Sequence, residues 1–137
     1  MAHEVNIESH GAGVLVTLSG VITGRELIGI NEDIYENDPS KKLRYQIWDF
    51  TSVDILEMKT KDIEKLVLQD MEEANYNSNQ SVAIIGSTRT LQGIDSMYHY
   101  ISDSCIRNGF PSKSFSNMDD ARNWIAENLS AEIKKCI

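Results

Sequence analysis

The sequence has two cysteines, Cys105 and Cys136, two prolines and three histidines, and each scarcity removes a class of protein. One cysteine falls in a periodic helix pattern and the other beside the C-terminus, so neither a disulfide framework nor a zinc-ligand spacing can be built, and reduced thiols are expected. His3, His10 and His99 are scattered, and no pair has the spacing of a zinc helix with a third ligand in view. There is no Gly-x-Ser-x-Gly elbow, no Lys-Ser/Thr to complete a Walker loop and no Gly-x-Gly-x-x-Gly. Catalysis through a covalent nucleophile, a metal or a bound nucleotide therefore lacks a carrier. The chain reads as a non-enzyme, and no metal or cofactor is implied.

Long apolar runs are also missing. The longest, Gly13 to Leu18 and Ser81 to Ile85, fall far short of the roughly 20 residues that span a bilayer. The opening Met-Ala-His-Glu-Val-Asn has no basic region followed by an apolar one, so a cytoplasmic address is expected. Positive charge is scarce too: 13 Lys and Arg stand against 21 Asp and Glu, a formal charge of −8. The field of such a molecule repels phosphate backbones and anionic lipid heads, so neither nucleic acid nor membrane is an expected partner. Lys41, Lys42 and Arg44 make the densest basic spot, with Lys59 and Lys61 further on, and these short runs read as solvated.

What the chain does have is enough for one core. Its 137 residues, 41% hydrophobic and 25% charged, match a single globular domain over residues 1–137. His3 to Ser9 alternates Val5 and Ile7 with polar neighbours, and Val14, Val16 and Leu18 do the same, which predicts a hairpin turning near Gly11 and Gly13. Thr23 followed by Glu26 has the spacing of a reciprocal capping box and opens a helix with Leu27, Ile30 and Ile34 on one stripe. Asn37-Asp38-Pro39 ends it. Gly29 inside this helix is costly, and close packing against a neighbour would explain its presence.

Leu43 to Phe50 predicts a strand ending at Asp49 in a Thr51-Ser52 turn, with Trp48 in or near the core. A second helix is expected with Thr60 as its cap and Ile63, Leu66, Val67, Met71 and Ala74 inward, Glu72 and Glu73 lying mostly elsewhere. Ser81 to Ile85 has almost no polar alternation, as a strand covered on both faces would. Leu91, Ile94, Tyr98, Ile101 and Cys105 predict a third helix. Lys113 to Ser116 predicts a short strand, and Asn117 caps a fourth helix carrying Ala121, Trp124, Ile125 and Leu129. The order β-β-α-β-α-β-α-β-α predicts an α/β fold: a mixed, mostly parallel sheet of about five strands with about four helices.

That order, with the segments LSGVITGRELIG, YQIWDFTSVDI, SVAIIGSTRTLQGIDSMYHY and SFSNMDDARNWI, resembles the anti-sigma-factor antagonist (SpoIIAA-like, STAS) fold, and in particular a group of small, uncharacterised bacterial proteins. The resemblance spans nearly the whole chain. It implies a regulatory module that binds a protein partner, and in the better-known antagonists a serine at the start of the second helix is phosphorylated to switch that binding. This chain departs there: aligning Asp49 to Val53 with the family's Asp-Leu-Ser-x-Val pattern places Met58 at the phosphoacceptor position. The uncharacterised group also often has a glycine and, three residues later, an arginine at the start of the third helix, whereas Gly93 here is followed by Ser96.

Three candidate sites remain. Thr60, flanked by Lys59 and Lys61, is a candidate phosphoacceptor, because a phosphate at a helix N-terminus meets free amides; the plain alternative is a helix cap. Gly86, Ser87, Thr88 and Arg89 follow a buried strand, where parallel sheets place ligands, and form a candidate anion loop with Arg89 supplying charge; ordinary turn chemistry is the alternative. Asp49, Thr51 and Ser52 form a candidate strand-end loop, or else an Asx turn. The expected function is a non-enzymatic protein-binding module. The alternative is a carrier or sensor of a small apolar, acyl or anionic ligand, lined by Met58, Met71, Met97 and Met118. An edge strand or helix face also leaves a homodimer open.

Overall fold

The computed structural model describes residues 3–77, 79–87 and 110–135. β1 (His3–Glu8) leads through a 3₁₀ turn at Ser9–Gly11 into β2 (Gly13–Thr23), followed by α1 (Gly24–Glu36), β3 (Tyr45–Glu57), α2 (Thr60–Ala74), β4 (Ser81–Ile85), β5 (Ser112–Phe115) and α3 (Met118–Lys135). The five strands form one sheet in the order β1-β2-β3-β4-β5. β1 runs antiparallel to β2, and every other neighbour pair is parallel. The mixed, mostly parallel five-stranded sheet is thus the one expected. Three helices stand among the described residues, while the periodic segment from Leu91 to Cys105 lies outside them.

Side chains alternate across the sheet and both faces are covered. Val14, Val16, Leu18, Trp48 and Phe50 pack with Leu27, Ile30 and Ile34 of α1, and Leu66 of α2 joins the same layer. Tyr45, Ile47, Ala83 and Ile85 point the other way, against Ala121 and Ile125 of α3. This two-sided covering explains why β3 and β4 show so little polar alternation.

On the α1/α2 side the core is interrupted by a polar seam. Trp48 Nε1 donates to Gln46 Oε1 at 2.9 Å, and Gln46 Nε2 donates to Gln80 Oε1 at 2.9 Å and to the Tyr35 hydroxyl at 3.1 Å. Tyr35 in turn donates to Asp70 Oδ1 at 2.5 Å, which also accepts from Asn31 Nδ2 at 3.1 Å. The seam ties α1, α2, β3 and the approach to β4 together, and its paired polar groups escape the desolvation penalty that unpaired ones incur, although Gln80 Nε2 at its end is buried without a hydrogen-bond partner.

Four local expectations need correction. β3 does not end at Asp49 but runs on to Glu57, because β2 continues beside it to Thr23. The pairing steps from Thr17↔Asp49 to Ser19↔Ser52 and from Gly20↔Val53 to Val21↔Ile55, so β3 absorbs one extra residue at each step as a bulge. Asp49, Thr51 and Ser52 therefore lie inside a strand. Glu73 does not face solvent: it is buried, and Lys41 Nζ reaches its Oε1 at 2.8 Å. This ion pair also takes Lys41 out of the solvated basic spot. Finally, Gly29 has no close neighbour among the described residues; apart from its chain neighbours and its own helix backbone, none of their atoms lies within 4 Å of where a Cβ would stand. A glycine that costs about 1 kcal/mol relative to alanine in a helix is thus held there by neither packing nor an unusual backbone angle.

Gly13 differs from Gly29 in this respect. A Cβ on it would stand 2.0 Å from Cζ and 2.4 Å from Cε2 of Tyr45, a ring fixed in the α3-side core. Gly13→Ala is expected to destabilise the protein by about 1–3 kcal/mol through overpacking. Urea unfolding checks this, and the penalty should shrink sharply when Tyr45→Ala is made alongside it.

Candidate functional site

The C-terminal ends of the parallel strands bring some of the candidate residues together and keep others apart. β4 stops at Ile85, which pairs with Asp49, so Gly86 and Ser87 emerge level with the Asp49 bulge. Thr88 and Arg89, the remainder of the candidate anion loop, lie outside the described residues. The Gly86 amide donates to the Phe115 carbonyl at 3.1 Å, extending the β4–β5 ladder. That amide is therefore already engaged within the sheet. Asp49 Oδ1 accepts from the Thr51 amide at 2.9 Å and from the Thr51 hydroxyl at 2.5 Å. The carboxylate closes an Asx-type turn across the bulge, and Thr51 and Ser52 are exposed.

Thr60 is not part of this cluster. From Asp49, β3 continues through eight more residues to Glu57, roughly 26 Å of extended chain, before α2 begins. Over this stretch β2 and β3 form a two-stranded overhang beyond the end of β4. Val21 and Ile55 are cross-strand partners on it, 49% and 54% exposed.

The helix cap differs from expectation as well. Lys59 is the N-cap of α2, and Thr60 is its first helical residue, exposed to solvent. The capping carboxylate comes from inside the helix, with the Lys59 amide donating to Asp62 Oδ2 at 3.0 Å. This is the reaching-back half of a capping box, and it leaves the Thr60 side chain without the capping duty assigned to it from sequence. At α1 the expected cap is present: Thr23 Oγ1 accepts from the Glu26 amide at 3.2 Å. The two helix starts are pressed together, since a Cβ on Gly24 would stand 2.6 Å from Asp62 Cβ.

Sequence reasoning missed a second cluster at the opposite end of the sheet. Arg122 on α3 makes two parallel hydrogen bonds to Glu8, Nη1 to Oε1 at 2.9 Å and Nη2 to Oε2 at 3.1 Å. The Tyr45 hydroxyl donates to Glu8 Oε1 at 2.7 Å and stands 2.9 Å from Ser9 Oγ. The Arg122 bonds hold the Glu8 carboxyl below its ordinary value, against the opposing effect of burial. Burial pushes the Tyr45 hydroxyl up, and Glu8 adds to it. The neighbouring turn is unusual: Ser9, His10 and Gly11 have φ of 54°, 56° and 93° in succession, a left-handed run that costs non-glycine residues roughly 1–2 kcal/mol each. No local signal announces this cluster, because Glu8 and Arg122 are 114 residues apart. Tyr45 keeps its proton and Glu8 is fully engaged with Arg122, so the group fastens the hairpin to α3 and offers no base.

Met58 and Met118, two of the methionines of the carrier reading, lie on opposite faces of the sheet. Met58 packs with the α1/α2-side core and Met118 with the α3-side core; Met97 lies outside the described residues. Among the described residues, no group of three or more His, Cys, Asp or Glu side chains is arranged to hold a metal ion. No described helix is long and apolar enough to cross a membrane.

Two measurements check these assignments. Asp62→Ala is expected to cost about 1 kcal/mol as a lost cap, while Thr60→Ala should stay within about 0.5 kcal/mol of the parent; thermal unfolding distinguishes them. Because folding lowers the pKa of Glu8 from 4.5, its stabilisation is present above that value and is lost as pH falls through the lower folded value. Urea unfolding between pH 6 and pH 3 should show this acid-side loss, and Glu8→Gln should flatten it at a cost of about 1 kcal/mol or less near neutrality.

No family model and no curated protein matches the sequence. Among solved structures, the chain is similar to the anti-sigma factor antagonist SpoIIAA in its unphosphorylated form, with a TM-score of 0.63 at 13% identity over 92% of this chain and 97% of that one. It is also similar to an uncharacterised DUF3478-family protein with a SpoIIAA-like fold from Shewanella loihica PV-4, with a TM-score of 0.51 at 16% identity over 90% of this chain and 92% of that one. The chain has a SpoIIAA-like fold.

Proposed function

We propose that this chain is a non-enzymatic, protein-binding regulatory module that acts in the cytoplasm. The observation that carries the reading is the overhang of β2 and β3. It presents the half-exposed Val21–Ile55 pair beyond the end of β4 and beside the starts of α1 and α2. Apolar side chains held on a rigid ribbon suit recognition of another protein surface. Two of the candidate chemical groups point the same way, since Asp49 Oδ1 is engaged by Thr51 and the Gly86 amide by the Phe115 carbonyl. SpoIIAA is an anti-sigma factor antagonist, a protein whose target is another protein, and the shared fold lends that kind of role without lending its partner.

Within this reading Thr60 is the position open to modification, being exposed, free of the capping role and flanked by Lys59 and Lys61. The Gly86 to Arg89 loop is the position for an anion, through groups other than the engaged Gly86 amide. The carrier alternative has one feature in its favour: Trp48, Phe50, Met58 and Ile84 line an apolar crevice with Asn31 and Asp70 at its edge. Its volume of about 70 Å³ is well below the roughly 300–1,000 Å³ of ligand pockets, and the larger hollows beside β1 and α1 are open to solvent with mixed polar and apolar walls, so protein binding is preferred.

The test is capture from a lysate of the source organism, read by mass spectrometry. Wild-type protein is expected to retain a reproducible partner, and Val21→Glu/Ile55→Glu, with unchanged circular dichroism and Tm, is expected to lose it. A reproducible absence of any protein partner, or capture untouched by the double substitution, overturns the reading. Intact mass of the protein from the same cells reports whether Thr60 carries phosphate.

A further inference from the structure

Helix α1 does not cover the whole of the sheet it packs on. β1 is an edge strand, and His3, Val5 and Ile7 pair with Leu18, Val16 and Val14. The three β2 residues are fully buried, yet Val5 is 40% and Ile7 64% exposed. The face that α1 seals over β2 therefore stays open over β1. The result is a long groove with β1 as floor and α1 as wall. One half, reaching Pro39, holds about 480 Å³, and the other, reaching Gly20, about 720 Å³. The halves share His3, Ile30 and Asp33, and the buried Nδ1 of His3 has no hydrogen-bond partner there.

Gly29 lies on the wall of this groove. The chain itself gives no reason for a glycine at that point, since the space beside it is empty and its φ is not left-handed. A missing Cβ is useful where another backbone approaches closely. Glu26 and Asp33 also line the groove, three residues before and four after Gly29, so the three form one stripe along the helix. A carboxylate, a gap and a carboxylate thus face whatever lies over β1.

We propose that this groove receives one amphipathic helix of another protein, apolar toward Val5, Ile7 and Ile30, crossing α1 at Gly29 and carrying Lys or Arg toward Glu26 and Asp33. Charge selects this occupant, because Glu26, Asp33 and Asp38 outnumber Lys42, the one lysine or arginine among the lining residues, which stands at the Pro39 end. A second copy would set one Glu26–Asp33 stripe against another within an assembly whose subunits each carry −8. A basic helix face meets complementary charge, and its apolar stripe fills the layer that α1 leaves incomplete. The inference rests on the reading of the chain as a protein-binding module; Val21 borders the Gly20 end of the groove, but the contacts proposed here are made by Val5, Ile7, Glu26, Gly29, Ile30 and Asp33.

The probe is a designed 18-residue helical peptide of Leu, Ala and Lys, with leucines on one face and lysines flanking them. Two companions are needed: a scrambled peptide of the same composition and a version with Glu in place of Lys. Titration into the 15N-labelled full chain is expected to shift the amides of Val5, Ile7 and Gly29 with the amphipathic Lys peptide only. Gly29→Leu should weaken that binding about tenfold or more while leaving Tm unchanged or higher, and Asp33→Lys should weaken the Lys peptide and favour the Glu peptide. The proposal is overturned if the scrambled peptide binds equally or if binding ignores Gly29→Leu. It also fails if Gly29→Ala lowers Tm, since the glycine would then serve the fold itself, or if analytical ultracentrifugation shows that the chain self-associates at the concentrations where the groove amides shift. Lysate capture that is lost in the overhang variant and kept in Gly29→Leu removes the groove and leaves the broader reading intact.

Discussion

The constraint on which the rest of the structure depends is the burial of β3 on both faces. Tyr45, Gln46, Ile47 and Trp48 are all buried in succession, although consecutive strand residues point to opposite sides. Such a strand is stable only with helices above and below it. The parallel crossovers supply them: α1 and α2 connect β2 to β3 and β3 to β4 and share one layer, while α3 returns from β5 to cover the other. Strand order, helix placement and the uncovered edge at β1 all follow from that arrangement. Two helices on one face cannot also reach over the outermost strand.

Burying Gln46 among apolar neighbours adds a second demand, because its amide must find partners on the same face. It does so through Trp48, Tyr35 and Gln80, and the chain of bonds continues to Asp70 and Asn31. Apolar packing alone would allow α1 and α2 to slide along their grooves. Directional bonds fix one alignment, so the seam contributes specificity more than net stability. The alignment it fixes also sets where the starts of α1 and α2 stand beneath the β2–β3 overhang.

Much of the architecture was legible in the sequence, because periodicity and caps are local. Thr23 with Glu26, the stop at Asn37-Asp38-Pro39, the unalternating Ser81 to Ile85 and the Asn117 cap, whose Oδ1 accepts from the Asp120 amide at 2.9 Å, all formed as the residue types imply. The misreadings arose where a distant partner overrode a local cue. Asp49-Thr51-Ser52 has turn composition, but a continuing β2 neighbour kept the backbone extended through two bulges. Glu73 has the chemistry of a solvated residue, but Lys41 sits where it can neutralise it. Thr60 looks like a cap, but the helix begins one residue earlier than that role requires, with Lys59 at the cap position and its amide held by Asp62. The tie from Glu8 to Arg122 and the groove beside Gly29 belong to surfaces that exist only once the sheet has formed, and no short window contains them.

The crowding of Gly24 against Asp62 has a consequence for how such sequences can diverge. Any side chain at position 24 needs the volume that the aspartate occupies, and any retreat of the aspartate exposes the amide of residue 59. The two positions, far apart in the chain, are therefore bound to drift as a pair. Descendants that enlarge the first must find another cap for the second helix, and those that keep the aspartate inherit the glycine with it.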